Sequence, residues 1–153
     1  MTASANSSMK GRYWGRFCMT RIIIAYVSTL LVFAAVDFVW LTQIGPSLYP
    51  PIIGSILAPE PRMTPAVIFY ALYIGGLVYF AVMPGLNGAG WRGSLIKGAL
   101  FGFFAYATYD LTNHATLVVW STMITVLDMI WGTFLSGATA TGGYLITRKL
   151  AKG

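Results

Sequence analysis

Four acidic residues stand in a chain of 153, and three of them, Asp37, Asp110 and Asp128, fall inside long apolar runs. Only Glu60 lies in a segment that reads as a loop. The single histidine, His114, sits in similar sequence, within "YDLTNHATLVVW" from Tyr109 to Trp120. A carboxylate near the centre of a membrane helix costs about 2.5–3.5 kcal/mol on insertion scales, so this placement points to a bundle-interior or functional site. Carboxylates in such a setting can exchange protons, strip a cation of its water, or act as acid and base on a bound ligand. No lysine or arginine lies deep in the runs to neutralise them. At least one is therefore expected to keep its proton near neutral pH.

Helical spacing gathers polar groups around each acid. Tyr106, Asp110, Asn113 and His114 share one face, and Ser121, Thr125, Asp128, Gly132 and Ser136 form a stripe on the next run. Gly98 with Gly102, and Gly132 with Ser136, have the small-xxx-small spacing that lets helix backbones approach closely. "DFVWLT" at Asp37–Thr42 is echoed by "DMIWGT" at Asp128–Thr133. Each places an indole, Trp40 or Trp131, three residues after an aspartate, within reach of it or of a shared neighbour. The candidate ligand- or proton-binding set is Asp37, Asp110, Asn113, His114 and Asp128, with Tyr106, Trp40 and Trp131 around them, and no metal site. The plainer alternative is that these groups only link helices, at about 0.6 kcal/mol per bond. His114 would then be a hydrated turn residue and the tryptophans packing or interfacial residues.

The elements that position these residues follow from composition. The chain is 57% hydrophobic and 9% charged, against roughly 25% charged in a soluble domain. A soluble fold of this size could not hide so much apolar surface, so the surrounding solvent is lipid. A bilayer needs about 20 apolar residues per helix. The runs are continuously apolar rather than alternating, which favours helices over a membrane barrel. The expected architecture is an all-α, four-helix transmembrane bundle with spans near 22–44, 65–86, 94–113 and 116–145. It forms one domain over 21–147, between a disordered basic tail at 1–20 and a short basic tail at 148–153. The first run also has the look of a signal peptide, but it resumes as "FVWL" after Asp37 and is long enough to span.

The net charge of +6 is distributed around the apolar runs, as topology determinants are, and is not interleaved with aromatics as nucleic-acid binding requires. Four spans put Lys10, Arg12, Arg16, Arg21, Arg92, Lys97, Arg148, Lys149 and Lys152 on one side and Arg62 alone on the other. Both termini are therefore expected in the cytoplasm. The loop "GPSLYPPIIGSILAPEPRMT", Gly45–Thr64, holds five prolines but an apolar centre. It is expected to lie in the interface or dip back over the bundle. A rise of 1.5 Å per residue puts Asp37 roughly 10 Å below the outer boundary, Asp110 near the outer end of its span and Asp128 roughly 18 Å deep. The three acids thus read as staggered through the outer half.

Through "YDLTNHAT", "DMIWG" and "DFVWL", from about Thr20 onward, the chain resembles the bacterial four-helix membrane proteins grouped as a domain of unknown function. The resemblance implies a bacterial inner-membrane protein and carries over no activity, ligand or catalytic residue.

The inventory excludes several chemistries. One histidine and one cysteine, Cys18, allow no bis-histidine haem, three-histidine zinc site, intrachain disulfide or CxxC redox site. No intramembrane lysine is placed for a retinal Schiff base, and neither a P-loop nor GxSxG occurs. No cofactor is expected. Two classes remain beside a structural or assembly role. One is proton- or cation-linked binding or transport of a small ligand through an outward-facing polar pocket, with a homodimer as the working form. The other is a small intramembrane enzyme or accessory protein acting on a lipid or amphiphile.

Overall fold

The computed structural model describes the backbone of residues 3–151 and the side chains of residues 19–151. Within them the chain is all-helical, with no strand among the described residues. Helix α1 runs Ala3–Val39, and short helices α2 (Gly45–Leu48) and α3 (Pro50–Ile53) follow. Then come α4 (Met63–Leu77), α5 (Gly90–Thr116) and α6 (Thr122–Leu150). The tail expected over 1–20 and Cys18 fall almost wholly on residues whose side chains lie outside the described ones.

Three helical stretches are long and apolar enough to cross a membrane: Met19–Leu48, Met63–Thr116 and Thr122–Leu150. Two of them widen into a π-helical turn at a defined place, Trp40–Ile44 and Val78–Val82. Each widening ends two residues before a proline, Pro46 or Pro84. Proline has no N–H and its ring crowds the carbonyl four residues back, so the ladder shifts register. The Gly45 N–H accordingly reaches Trp40 O and the Met83 N–H reaches Val78 O.

The stretch Met63–Thr116 is not straight. Asn87 and Gly88 leave helical geometry, and Gly88 and Gly90 take positive φ values of 129° and 67°. Glycine is suited to that region because it has no Cβ to clash. The two limbs fold onto each other, so that the Phe101 ring lies 5.1 Å from Tyr73 and 6.0 Å from Phe80. Ser94 Oγ donates to Ala81 O at 3.2 Å across the bend. Arg21 of α1 clamps the same bend, donating to Leu86 O at 2.6 Å and to Asn87 Oδ1 at 3.3 Å.

Helix α6 lies between α5 and α1. The buried centre is apolar, with Phe33, Ile74, Leu77, Val82 and Leu135 packed together. The periphery is apolar too: Leu72, Tyr79, Phe104 and Ile130 are each more than 60% exposed. That inversion is what lipid requires, because an exposed leucine costs nothing there.

The fourth expected run, 116–145, begins later than anticipated. Leu117 is extended and Val118 fully exposed, and α6 starts at Thr122, where Ser121 Oγ accepts the Ile124 N–H at 3.2 Å. A hydroxyl at the N-cap satisfies a helix donor that has no partner of its own, so the helix starts where such a cap exists. The proline-rich connection folds back over this end. Ile53 of α3 is buried against Trp120 and Ile124, with Tyr49 and Ile52 beside it.

Candidate functional site

All three intramembrane aspartates are buried: Asp110 is 0% exposed, Asp128 5% and Asp37 7%. They divide into two groups. Asp110 lies six residues before the end of α5 and Asp128 six residues after the start of α6. Each is therefore about 9 Å from its helix end, on facing helices. This corrects the staggered arrangement read from the sequence, which assumed a fourth run starting at 116. The two carboxylates are therefore level, each six residues from the turn that joins the two helices.

Their surroundings differ sharply. The Tyr49 hydroxyl donates to Asp128 Oδ1 at 2.7 Å, and the Trp40 indole N–H donates to that same hydroxyl at 3.1 Å. Tyr49 lies past Leu48, where the first span ends. Burial first and the bond to Asp128 second push its phenol above the ordinary range, so it is held as the donor. Asp110 has no such partner, and neither of its carboxylate oxygens makes a hydrogen bond. Buried polar atoms in folded proteins are paired in roughly nine cases of ten, so a carboxylate with both oxygens unmatched calls for an explanation.

Asp37 belongs to a separate group further in, three residues before Trp40 on the first span. The Tyr70 hydroxyl donates to Asp37 Oδ2 at 2.7 Å. The Trp131 indole is turned toward the same carboxylate but falls outside hydrogen-bond geometry, leaving its N–H unpaired. Between the groups, Trp40 and Trp131 stack with ring centroids 4.3 Å apart and planes 12° from parallel. The echo between "DFVWLT" and "DMIWGT" now has a geometric reason. α1 and α6 are antiparallel, so each indole faces the other helix's aspartate, Trp40 bonded to it through Tyr49 and Trp131 turned toward it without a bond. The sequence spacing puts each indole within reach of the preceding aspartate on its own helix or of a shared neighbour.

The remaining expected residues are placed less centrally. The Tyr106 ring fills the space beside Gly132, where a Cβ would come 2.6 Å from Tyr106 Cε2 and nearer still to two other ring atoms. Asn113 is half-buried beside Tyr109. His114 is exposed at the end of α5, its Nε2 3.4 Å from Thr122 Oγ1, and so stands apart from the buried carboxylates. Among the described residues no three His, Cys, Asp or Glu side chains gather as a metal-ligating group. A groove of about 450 Å³ on the outside of α5 and α6, lined by Phe103, Val126, Met129, Ile130, Thr133 and Phe134, holds none of the acids.

Sequence reasoning missed Tyr49, Tyr70 and Tyr73. Tyr70 and Tyr73 lie three apart on one helix face, a spacing that could have flagged them. Tyr73 Oη shares a 2.7 Å hydrogen bond with Ser136 Oγ. Tyr49 carried no such signal, since it sits between prolines and reaches Asp128 only because the loop folds back.

Long apolar helices, an apolar periphery and buried polar groups in the interior define an integral membrane protein of the all-α class. The chain belongs to the family described as "Predicted membrane protein (DUF2177)", whose model matches residues 22–145. No curated protein and no solved structure matches the chain.

Proposed function

We propose that this protein crosses a bacterial inner membrane four times, with both termini cytoplasmic, and binds or transports a small ligand in a proton- or cation-linked way. The four crossings rest on length. Met63–Thr116 is 54 residues, which as one straight helix would extend about 80 Å, against a hydrocarbon core of about 30 Å. A bend at Asn87–Gly90 divides it into two limbs of bilayer length. The orientation rests on the basic residues, since Arg21, Arg92, Lys97, Arg148 and Lys149 fall at the Arg148 end and Arg62 alone at the Tyr49 end. A reporter fused at the C-terminus is expected to report cytoplasm and one inserted near Glu60 the opposite side; a C-terminus outside the cytoplasm would overturn the four crossings.

The observation that carries the functional reading is Asp110, wholly buried with both oxygens unmatched, level with the buried Asp128 of the neighbouring helix. Two carboxylates taken out of water in one place repel each other, and a proton or small cation between them removes that cost. Tyr49 and the folded-back connection close the site at its near end, so a ligand entering there must displace Tyr49 from Asp128. Asp110, Asp128, Tyr49 and Trp40 form the binding end, with Asn113 and His114 at its rim. Asp37, Tyr70, Tyr106 and Trp131 form an inner group. A four-helix bundle is thin, and in this reading the transporting unit is a homodimer.

Infrared titration of the carboxyl bands tests this without knowing the ligand. A protonated carboxyl band at neutral pH, or a stoichiometric bound cation, is expected in the wild type and lost in Asp110→Asn. If the wild type shows neither, the reading fails.

A further inference from the structure

The buried polar groups do not end at the carboxylates. Ser136, Thr139 and Thr147 of α6, with Ser28 and Thr29 of α1, continue inward as hydroxyls no more than 5% exposed. From Asp128 to Thr147 is 19 residues of one helix, a rise of about 28 Å. That nearly equals the roughly 30 Å hydrocarbon thickness of a bilayer. The groups are linked in pairs, Tyr49 to Asp128, Tyr70 to Asp37, Tyr73 to Ser136, and Ser28 to Thr147 at 3.0 Å.

Between the last two pairs stand Thr29 and Thr139, both wholly buried and both with Oγ1 lacking any hydrogen-bond partner. A threonine in a helix ordinarily bonds its hydroxyl to the carbonyl four residues back. Thr108, Thr116, Thr133 and Thr141 do this, at 2.7–2.8 Å. The same bond is open in principle to Thr29 and Thr139, yet their hydroxyls are without it. Gly143 leaves the room that Thr29 occupies, since a Cβ there would collide with Thr29 Oγ1 and come 3.1 Å from its Cβ. Hydroxyls acting only as links between helices would be bonded to one another. These two are positioned like groups that bond to buried water, which typically serves otherwise unmatched polar atoms.

We infer that the buried polar side chains along α6 and the facing part of α1 are a transmembrane proton path, joining the Asp110–Asp128 pair at the Tyr49 end to Ser28 and Thr147 at the Arg148 end through Asp37, Ser136, Thr139, Thr29 and bridging water. It rests on the proton-linked reading above and extends it from a site at one end to conduction across the bilayer. A hydroxyl both donates and accepts. Each accepts a proton on a lone pair as it releases its own to the next group. One proton enters, one leaves, and no group is oxidised or reduced.

The test is proton flux into phosphatidylethanolamine–phosphatidylglycerol vesicles containing the purified full chain and an internal pH dye, driven by a potassium diffusion potential. Wild-type flux should exceed that of protein-free vesicles. Thr139→Val, which keeps the shape but removes the hydroxyl, should lower it about tenfold, as for a barrier raised by one lost hydrogen-bonding partner. Thr139→Ser should restore it, and Thr141→Val, whose hydroxyl bonds its own helix, should leave it unchanged. Thr29→Val carries the same expectation and serves if Thr139→Val does not fold. Full flux in a folded Thr139→Val or Thr29→Val protein overturns the path, as does wild-type flux no higher than that of empty vesicles. The carboxyl band of Asp110, read on the same samples, separates the two ideas: wild-type flux no higher than that of empty vesicles, with the band retained, sinks the path alone, and absence of the band in the wild type, with no bound cation, sinks both.

Discussion

Helix α6 has two neighbours and makes a different kind of seam with each. Against α5 the contact is backbone on backbone. A Cβ on Gly98 would come 2.6 Å from Ala140 Cβ and 2.7 Å from Ser136 O, and one on Gly102 would run into Gly132 O and the Ser136 side chain. Against α1 the contact is polar and aromatic, with the Ser28–Thr147 bond, the Trp40–Trp131 stack and the unmatched hydroxyl of Thr29. Lipid is as apolar as leucine, so helices in a bilayer gain little from burying apolar side chains against each other and associate through close packing or interhelical bonds. Here each means predominates on one face of α6, although Gly143 also lies close against Thr29 of α1. The α5–α6 seam is a tight scaffold that holds Asp110 level with Asp128. The α1–α6 seam carries groups that can titrate or pass a proton, and it is left incompletely satisfied.

The largest expected effect is on the tight seam. Gly102→Leu should destabilise the protein by about 3 kcal/mol, at the upper end for overpacking, because the obstruction is a backbone carbonyl that cannot rotate away. Gly75→Leu is the control, since nothing lies within 4 Å of a Cβ at that position. Melting in detergent followed by circular dichroism should separate the two, and equal midpoints would remove the scaffold from the comparison. A smaller effect is expected on the polar side. Asp128→Leu leaves the Tyr49 hydroxyl without its acceptor and should cost about 1–3 kcal/mol. Asp128→Asn keeps an acceptor oxygen for Tyr49 and should lie within about 0.5 kcal/mol of the wild type. If the asparagine variant melts as early as the leucine variant, the charge itself holds the seam together, and its polar groups are structural rather than poised for exchange.

Much of this organisation is legible in the sequence. Apolar runs of bilayer length, flanked by basic residues, follow from composition because no soluble fold of 153 residues could bury them. Glycines four apart announce a close seam, and Gly98, Gly102 and Gly132 do form one. The burial of Asp37, Asp110 and Asp128 was foreseen from their position inside apolar sequence, because an ionisable group there has nowhere cheaper to be than the interior. The start of α6 at Thr122 is not legible in the sequence, since "ATLVVW" is as apolar as a helix and only the Ser121 cap marks the boundary. That shift of six residues changes the depth of Asp128 and brings it level with Asp110.

What the tertiary structure alone decided is which polar group meets which. Hydrophobicity and helical period assign each residue a depth and a face, and both are local properties of the chain. Pairing depends on the rotation and register of one helix against another, which small differences in packing select. Asp-x-x-Trp can be read twice in the sequence, but the exchange of indoles between the two motifs requires α1 and α6 to be antiparallel with Trp40 and Trp131 at one level. Tyr49 reaches Asp128 across 79 residues of sequence because Ile53 anchors the proline-rich connection on Trp120 and Ile124. No periodicity encodes that contact, since it arises from a loop whose path is set by what it packs against.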